Sequence, residues 1–183
     1  MSITTIFSIG HGSKSMEDFI HELNAFNIEY LADIRSKPYS KWYPHFNQSS
    51  LKCKMKQVGI HFIYMGDSLG GLPEDRSCYD SNGKVVYDLI KEKLFFRNGL
   101  QRLITANEKA VNLAIMCSEA KPEECHRSKL IGQELLNYDI SIKHIISAEK
   151  MITQEEVINN LTKGLGLIDL FGNKVELTSV KSY

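Results

Sequence analysis

The chain has 183 residues, 43% hydrophobic and 24% charged, a composition typical of globular proteins that argues against disorder and against a fibrous repeat. Lysine plus arginine and aspartate plus glutamate both number 22, so no overall positive charge attracts polyanions, and any nucleic-acid site must be local. The longest apolar runs fall far short of the roughly 18 residues that cross a bilayer, which predicts no membrane partner.

The N-terminal residues predict the compartment, and the compartment predicts the state of the cysteines. The first residues, MSITTIFSIGHG, lack a basic start, a long apolar stretch and a small-residue cleavage site, which predicts no secretion signal and a cytoplasmic location. In that reducing compartment, a chain long enough to rely on its core is expected to keep its four cysteines as thiols. These cysteines are Cys53, Cys78, Cys117 and Cys125.

The first part of the chain predicts three strands, each a short β-branched or aromatic run, separated by helical patterns. Ser15 and Asp18 have the spacing of a capping box. The predicted elements are a strand over 3–9, a turn at 10–12, a helix after Ser15, a strand over 28–35, a helix through Leu51 and Val58, and a strand over 60–65.

The rest of the chain continues the alternation and then loses its pattern. Residues 66–84 collect Gly, Pro, Asp and Ser and predict a long loop. The further predicted elements are a helix over 85–105 broken near Asn98-Gly99, a strand over 111–117, a helix with Pro122 at its first position, a strand over 140–147, a helix capped by Thr153 and Glu156 that ends near Leu161, and a loop or edge hairpin from residue 164 onward.

Strands that alternate with helices predict the α/β class. Parallel neighbours need a crossover that covers the sheet, so we expect three layers, with a mostly parallel open sheet of about five strands and helices on both faces. We assign residues 1–148 to this domain and residues 149–183 to a C-terminal appendage of a short helix plus a loop or edge hairpin. In such sheets ligands bind in the crevice beyond the carboxyl ends of the strands.

Polar residues follow the predicted strands at that edge. His11 follows the first strand and is interpreted as a general base or a donor to phosphate, or alternatively as a histidine bonded to nearby backbone. Asp33, a candidate catalytic residue, and Arg35, a candidate phosphate ligand, follow the second strand. They alternate along it, so they share a face and could simply pair. The loop with Gly70 and Gly71 follows the third strand, and Cys117 and Glu119 follow the fourth.

The segment VNLAIMCSEAKPEECHR, residues 111–127, supports competing interpretations. Cys125 lies in phase with the core-facing stripe of the predicted helix, which favours a packed thiol. His126 is a candidate catalytic residue, and Arg127 near a helix N-terminus could hold an anion or pair with Glu123 or Glu124.

Cys117 at a strand end, before a helix that carries an arginine, has the layout of sulfurtransferases and cysteine-dependent phosphatases. The separation from Arg127 is longer than in the phosphatase loop, and the acids between them repel an anion and raise the pKa of a thiol.

A metal site receives weak support from the sequence. His11, Cys117, Cys125 and His126 offer suitable ligand atoms for zinc, but no Cys-x2-Cys pair exists and the segments come from different strands. We therefore predict no metal and no cofactor.

The stretch between Ile34 and Gly66 contains no Asp or Glu. Cations and flat aromatic rings together suit a phosphate backbone and an unstacked base, which predicts a nucleotide or nucleic-acid partner through the segment Arg35–Lys56. The alternative is that the later lysines form the solvated face of an amphipathic helix. The residues concerned are Arg35, Lys37, Lys41, Lys52, Lys54 and Lys56, with Tyr39, Trp42, Tyr43 and Phe46 among them.

Four segments, SIGHGSKSMEDF, LADIRSKPYSKWYPHFN, YMGDSLGG and MCSEAKPEECHR, resemble the domain of unknown function 488 family in order and spacing, over roughly residues 6–147. Members often have Gly-His-Ser where this chain has Gly-His-Gly-Ser, which puts a role for Ser13 in doubt. The family name states no activity. The resemblance implies a set of polar residues around one crevice, namely His11, Asp33, Arg35, Ser40, Gly70, Gly71, Cys117, Glu119, His126 and Arg127.

Three functional hypotheses follow. The first is an enzyme acting on a nucleotide or nucleic acid, in which Arg35 and Arg127 hold phosphate, His11 or Glu119 moves protons, and the Trp42 region stacks a base. The second is a non-catalytic nucleic-acid or partner-binding module. The third is a rhodanese-like or phosphatase-like cysteine enzyme that uses Cys117.

Overall fold

The computed structural model describes residues 6–168, 172 and 175–183. Within these residues the strands are β1 (Ile6–Gly10), β2 (Tyr30–Asp33), β3 (His61–Tyr64), β4 (Lys84–Val86), β5 (Leu113–Cys117), β6 (Lys143–Ser147), β7 (Lys150–Thr153) and β8 (Thr178–Ser182). The α-helices are α1 (Met16–Ala25), α2 (Gln48–Gln57), α3 (Gly66–Leu69), α4 (Tyr87–Lys91), α5 (Leu94–Glu108), α6 (Gln133–Leu136) and α7 (Gln154–Leu161). Short 3₁₀ turns occupy Pro44–Phe46, Arg76–Cys78 and Pro122–Glu124, and Arg127–Gly132 is π-helical.

The main sheet has six strands in the order β3-β2-β5-β1-β6-β7. The first five of these strands are parallel to their neighbours, and β7 adds an antiparallel edge beside β6. A separate antiparallel pair joins β4 to β8. The predicted three-layer α/β fold with a mostly parallel sheet is confirmed. Among the described residues, no helix is both long and apolar enough to cross a membrane.

The sheet separates two hydrophobic cores because successive side chains of a strand point to opposite faces. Along β5, Ile115 and Cys117 belong to the core on the α5 side, while Ala114 and Met116 belong to the core on the side of α1 and α2. Full burial of a large apolar side chain contributes about 1.5–3 kcal/mol, so these two cores dominate the stability of the fold.

For the helix predicted over 85–105, the predicted start and the predicted position of the break are both wrong. Residues Lys84–Val86 form β4, and the helical stretch is interrupted at Glu92 and Lys93, whereas α5 runs unbroken through Asn98-Gly99. Gly99 serves packing rather than interruption, since a Cβ there would lie 2.9 Å from the side chain of Leu69. Of the strand predicted over 3–9, the residues 6–9 are confirmed within β1, and residues 3–5 lie outside the described part of the chain.

The helix predicted to begin at Pro122 is also interrupted. After the 3₁₀ turn, Cys125 is extended at φ −118° and ψ 147°, and the π-helical segment follows. The interruption turns Cys125 and His126 toward the end of β5. Segments of π-helix are rare and occur frequently at functional sites.

The residues assigned to an appendage take part in both sheets. β7, which was not predicted because its side chains are mostly exposed, extends the main sheet, and α7 has the predicted capping box between Thr153 and Glu156. β8 pairs with the distant β4 rather than forming a local hairpin. The predicted tail residues 169–171 and 173–174 lie outside the description. The division at residue 148 stays a prediction.

A buried polar network joins β1, β6 and α7. The Ser8 hydroxyl lies 2.6 Å from Nδ1 of His144, and Nε2 of His144 lies 2.8 Å from the Gln154 amide oxygen. The Gln154 amide nitrogen donates to the Ser128 carbonyl, which fixes its oxygen as the acceptor from Nε2–H of His144. This places the proton of the neutral ring on Nε2, so Nδ1 accepts from the Ser8 hydroxyl. Burial lowers the pKa of His144 to about 4.

Acidification is expected to destabilise the protein through His144. The lowered pKa means that the unfolded chain binds the proton more readily, so stability falls as pH drops from about 6.5 toward 4, by about 2 kcal/mol between pH 7 and pH 5 for this group alone. Urea unfolding of wild type and His144→Asn across this range measures the difference in slope. The exposed His21→Asn variant is the control, and an unchanged slope in His144→Asn would contradict the assignment.

Candidate functional site

A cavity of about 270 Å³ opens at the carboxyl ends of β2 and β5. β8 forms one wall, and the loop after β2 and the loop after α3 form others. The lining residues are Arg35, Ser36, Lys37, Gly71, Leu72, Tyr87, Cys117, Ser118, Glu119, Glu124, Cys125, His126, Ser179, Val180, Lys181 and Tyr183. The cavity lies where ligands bind in open parallel sheets.

The first polar cluster lies on the α1 and α2 side of the sheet. Arg35 donates from Nε to Oδ1 of Asp33 at 2.8 Å and from Nη2 to Oδ2 at 2.7 Å. Its Nη2 also donates to the carbonyl of Phe46 at 2.8 Å. Asp33 is fully buried and Arg35 nearly so. The predicted pairing of these two residues is thus present, and most of the charge of Arg35 is already compensated.

His11 belongs to this same cluster. Its ring stacks on Phe46 with centroids 4.3 Å apart, and Nδ1–H donates to the Gly12 carbonyl at 2.9 Å, which leaves Nε2 as an acceptor 3.5 Å from Nη1 of Arg35. Burial and the neighbouring Arg35 charge lower the pKa of His11 to about 4. His11 is neutral near pH 7 and faces Arg35 rather than the cavity.

The second cluster contains two thiols, an imidazole and a carboxylate, on the α5 side. Sγ of Cys117 lies 2.9 Å from Oε2 of Glu119 and 3.7 Å from Nδ1 of His126. Sγ of Cys125 lies 3.5 Å from the same carboxylate oxygen and 3.6 Å from the same nitrogen. Both cysteines and His126 are buried, while Glu119 is exposed. We call these four residues the thiol cluster.

The two thiols of the cluster differ in acidity. A hydrogen bond with Cys125 and burial raise the pKa of Cys117 well above the usual thiol value. Burial also opposes ionisation of Cys125, but the hydrogen bond from Cys117 and the charge of Arg127 lower its pKa below that value. A nucleophilic cysteine needs a lowered pKa, so these shifts do not favour Cys117 in that role.

Arg127 has a different environment from the one predicted for a phosphate ligand. It is fully buried, and its guanidinium donates from Nη1 to the Glu119 carbonyl and from Nη2 to the Ala120 carbonyl at 2.8 Å. These bonds hold the loop that carries Glu119. Arg127 does not line the cavity, and we leave it out of the binding residues proposed below.

Ser40, Gly70 and Gly71 shape the walls. The Ser40 hydroxyl accepts from the backbone of Trp42 and Tyr43, which orders the loop after β2. A Cβ on Gly70 would lie 2.2 Å from the Gly66 carbonyl oxygen. A Cβ on Gly71 would lie 2.8 Å from the His126 ring, so a glycine there leaves space for the imidazole.

The basic segment divides into two parts. Lys37, Lys41, Tyr39 and Trp42 are exposed on the loop after β2, with Trp42 88% exposed. Lys52 and Lys56 lie on the solvated face of α2, whose buried face carries Leu51 and Met55. Helix amphipathicity therefore explains these later lysines, and Lys37 of the first part lines the cavity.

The structure brings the predicted residues into two clusters rather than one. Arg35 is the member of the first cluster that also lines the cavity with Cys117, Glu119 and His126. Lys37 belongs to the predicted binding segment, whereas Cys125 and Lys181 were not among the predicted catalytic or binding residues. The adjacent Cys125-His126 pair was a usable signal, but nothing in the weakly patterned tail marked Lys181.

A comparison with protein families identifies the chain. The model of the family described as domain of unknown function DUF488 matches residues 15–133, which is more than half of the chain. The chain belongs to this family. A search of curated proteins and a search of solved structures each give no match.

The DUF488 match covers one part of the cavity and omits another. It includes Arg35, Lys37 and the whole thiol cluster. The residues that complete the cavity, namely Ser179, Val180 and Lys181 of β8 and the following Tyr183, lie beyond the matched range. In this DUF488 protein the site is thus built from the family domain and a wall that follows it.

Proposed function

We propose that this protein is an enzyme that acts on a small phosphate-containing substrate of the nucleotide class, bound in the cavity between β8 and the ends of β2 and β5. The observation that carries the proposal is the lining of the cavity. Two lysines, Lys37 and Lys181, lie around the same space as the thiol cluster. One set of side chains suits an anion, and the other supplies groups that act in proton transfer and nucleophilic or metal-assisted chemistry.

The positive charge available to a substrate comes from the lysines. Arg35 is neutralised by Asp33, whereas Lys37 and Lys181 have no ion pair among the described residues. Charge-assisted hydrogen bonds from ammonium groups to phosphate contribute about 1.5–3 kcal/mol each. Lys37 and Lys181 therefore take the phosphate-binding role that was predicted for Arg35 and Arg127.

Two exposed rings that follow the cavity residues Ser36 and Lys37 in the chain support a base-containing substrate. Ser36 and Lys37 line the cavity, and the chain continues from them directly to Tyr39 and Trp42. Both rings are largely exposed, at 69% and 88%. A base stacked on an aromatic ring contributes about 1–3 kcal/mol, which supports selection of nucleotides over simple phosphates by these rings.

Replacing the two lysines is expected to remove phosphate recognition. We expect nucleoside monophosphates to bind at least about 10-fold more tightly than the matching nucleosides, and Lys37→Met/Lys181→Met to abolish that difference. Isothermal titration calorimetry with paired nucleotides and nucleosides measures both quantities. Lys109→Met, an exposed lysine remote from the cavity lining, is the matched control. Equal affinity of wild type for nucleotide and nucleoside would overturn the proposal.

The second candidate function is a non-catalytic module that binds single-stranded nucleic acid. The exposure of Trp42 and Tyr39 beside Lys37 and Lys41 favours it. This function predicts oligonucleotide binding that weakens steeply with salt and depends on Trp42 but not on Lys181 or Glu119. Fluorescence anisotropy with a labelled oligonucleotide, applied to Trp42→Ala and Lys181→Met, separates the two functions.

A further inference from the structure

The thiol cluster has the composition of a transition-metal site. Sγ of Cys117, Sγ of Cys125 and one ring nitrogen of His126 all lie within 4.8 Å of one another. The Glu119 carboxylate contacts both sulfurs. Two thiolates, an imidazole and a carboxylate are all ligands that zinc uses in proteins.

The spacing of these atoms fits a tetrahedral ion. Zinc bonds of about 2.3 Å to sulfur and about 2.0–2.1 Å to nitrogen or oxygen place a sulfur and a nitrogen or oxygen about 3.5 Å apart in a tetrahedron. The structure has 3.7 Å from Cys117 to His126, 3.6 Å from Cys125 to His126 and 3.5 Å from Cys125 to Glu119. The contact from Cys117 to Glu119 is shorter, at 2.9 Å.

The orientation of His126 is a second observation that points to a ligand. Its Nδ1 faces both sulfurs, and its Nε2 is buried with no hydrogen-bond partner among the described residues. The polar contacts that orient the ring are therefore those to the thiols. Gly71 leaves the space that this orientation needs, since a Cβ would press on the ring at 2.8 Å.

The four ligands come from three places in the chain: the end of β5, the loop that follows it, and the residues before the π-helical segment. Cys117 ends β5 and projects toward the α5 side, and the extended Cys125 followed by the helical His126 returns the chain to it. Arg127 holds the loop carbonyls at Glu119 and Ala120 and so fixes where the Glu119 side chain begins. The arrangement is preformed by structure that does not depend on the ion.

We propose that Cys117, Cys125, His126 and Glu119 bind one zinc ion at the wall of the cavity. Binding removes the remaining thiol protons to solvent and leaves two thiolates, a neutral imidazole and a carboxylate on the ion. Three ligands are buried and Glu119 is exposed, so Glu119 is the ligand that water or a substrate oxygen can replace. Zinc sites that keep an exchangeable position are the catalytic kind.

Metal titration of the full chain tests the site. Protein stripped with a chelator under a thiol reductant is titrated with Zn²⁺ against a chromophoric competitor, and we expect one ion per chain with a Kd of about 10 nM or below. Cys125→Ser and His126→Gln are each expected to weaken binding by at least about 100-fold. Glu119→Gln should weaken it less, because three ligands remain. Cys53→Ser, an exposed cysteine on α2, is the matched control and should bind as wild type does.

Cobalt substitution gives a spectroscopic readout of the ligand set, separate from the measured Zn²⁺ affinity. Co²⁺ in place of Zn²⁺ should give an intense visible spectrum of a tetrahedral site and a near-ultraviolet thiolate band that weakens in Cys117→Ser. Equal Zn²⁺ affinity in the Cys125→Ser and Cys53→Ser variants, or a Co²⁺ spectrum without the thiolate band, would overturn the site. The inference is independent of the proposed function, because Lys37→Met/Lys181→Met should lose nucleotide binding and keep the metal.

Discussion

Replacing Asp33 with alanine is expected to destabilise the protein by about 3–5 kcal/mol, because the buried Arg35 would keep its charge without a carboxylate partner. The guanidinium of Arg35 donates to Oδ1 of Asp33 at 2.8 Å and to Oδ2 at 2.7 Å. Oδ1 also accepts from the backbone N–H of Arg35. Arg35 cannot recover these bonds from water, since it is only 5% exposed. Urea unfolding of Asp33→Ala measures the loss.

A double variant separates the loss of the pair from the penalty of an unpaired charge. Asp33→Ala/Arg35→Met removes both charges and should be more stable than Asp33→Ala alone, since replacing a buried ion pair by apolar groups is often neutral. The exposed pair between Arg97 and Glu92, at 2.6 Å, is the geometric control. Glu92→Gln should change stability by less than about 1 kcal/mol. If Asp33→Ala changed the free energy of unfolding no more than Glu92→Gln does, Asp33 and Arg35 would not form a buried charge pair in solution.

The Asp33 and Arg35 pair also explains why the site differs from the one expected. A buried arginine with two bonds to a carboxylate and one to a carbonyl has little capacity left for a phosphate. The pair connects the loop after β2 to the 3₁₀ turn at Phe46. The pair thereby fixes the start of the segment that carries Lys37 into the cavity lining.

The positions at which the strands end could be predicted from the sequence. The face of the sheet on which each side chain lies could not. Alternation along one strand shows that Asp33 and Arg35 share a face, and this held. Whether His11 shares a face with Cys117 depends on the register between β1 and β5. The register pairs Gly10 with Cys117, so His11, one residue later, points to the opposite side. A shift of one residue would have reversed that result.

Cys125 shows how a correct local inference can still miss a site. The helical phase predicted burial, and Cys125 is 1% exposed. The argument assumed a regular helix from Pro122, whereas the chain is extended at Cys125 and π-helical afterwards. Cys125 packs in the core on the α5 side as predicted, and it also lies beside His126 and the same Glu119 oxygen as Cys117. Lys181 could not be found at all, because β8 depends on pairing with β4 far away in the sequence.

Replacing Gly10 with alanine is expected to destabilise the protein strongly, because its Cβ would make the shortest contact of any glycine. A Cβ at Gly10 would lie 1.9 Å from the Glu119 carbonyl oxygen and 2.8 Å from Nη1 of Arg127. Neither neighbour can withdraw, since Arg127 is fully buried and holds that same carbonyl. Overpacking of a well-packed core costs about 1–3 kcal/mol, and a clash with fixed backbone should exceed that range or prevent folding.

Gly12→Ala provides the graded comparison for Gly10→Ala. Gly12 has φ +52°, and the nearest atom to its Cβ would be the Ala120 methyl at 3.0 Å, so we expect a loss of about 1–2 kcal/mol from the left-handed backbone. Urea midpoints of the two variants give the order, and a Gly10→Ala protein as stable as Gly12→Ala would contradict the close approach of β1 to this loop. Any folded Gly10→Ala protein should also bind Zn²⁺ more weakly, because displacing the Glu119 carbonyl moves the carboxylate that contacts both thiols.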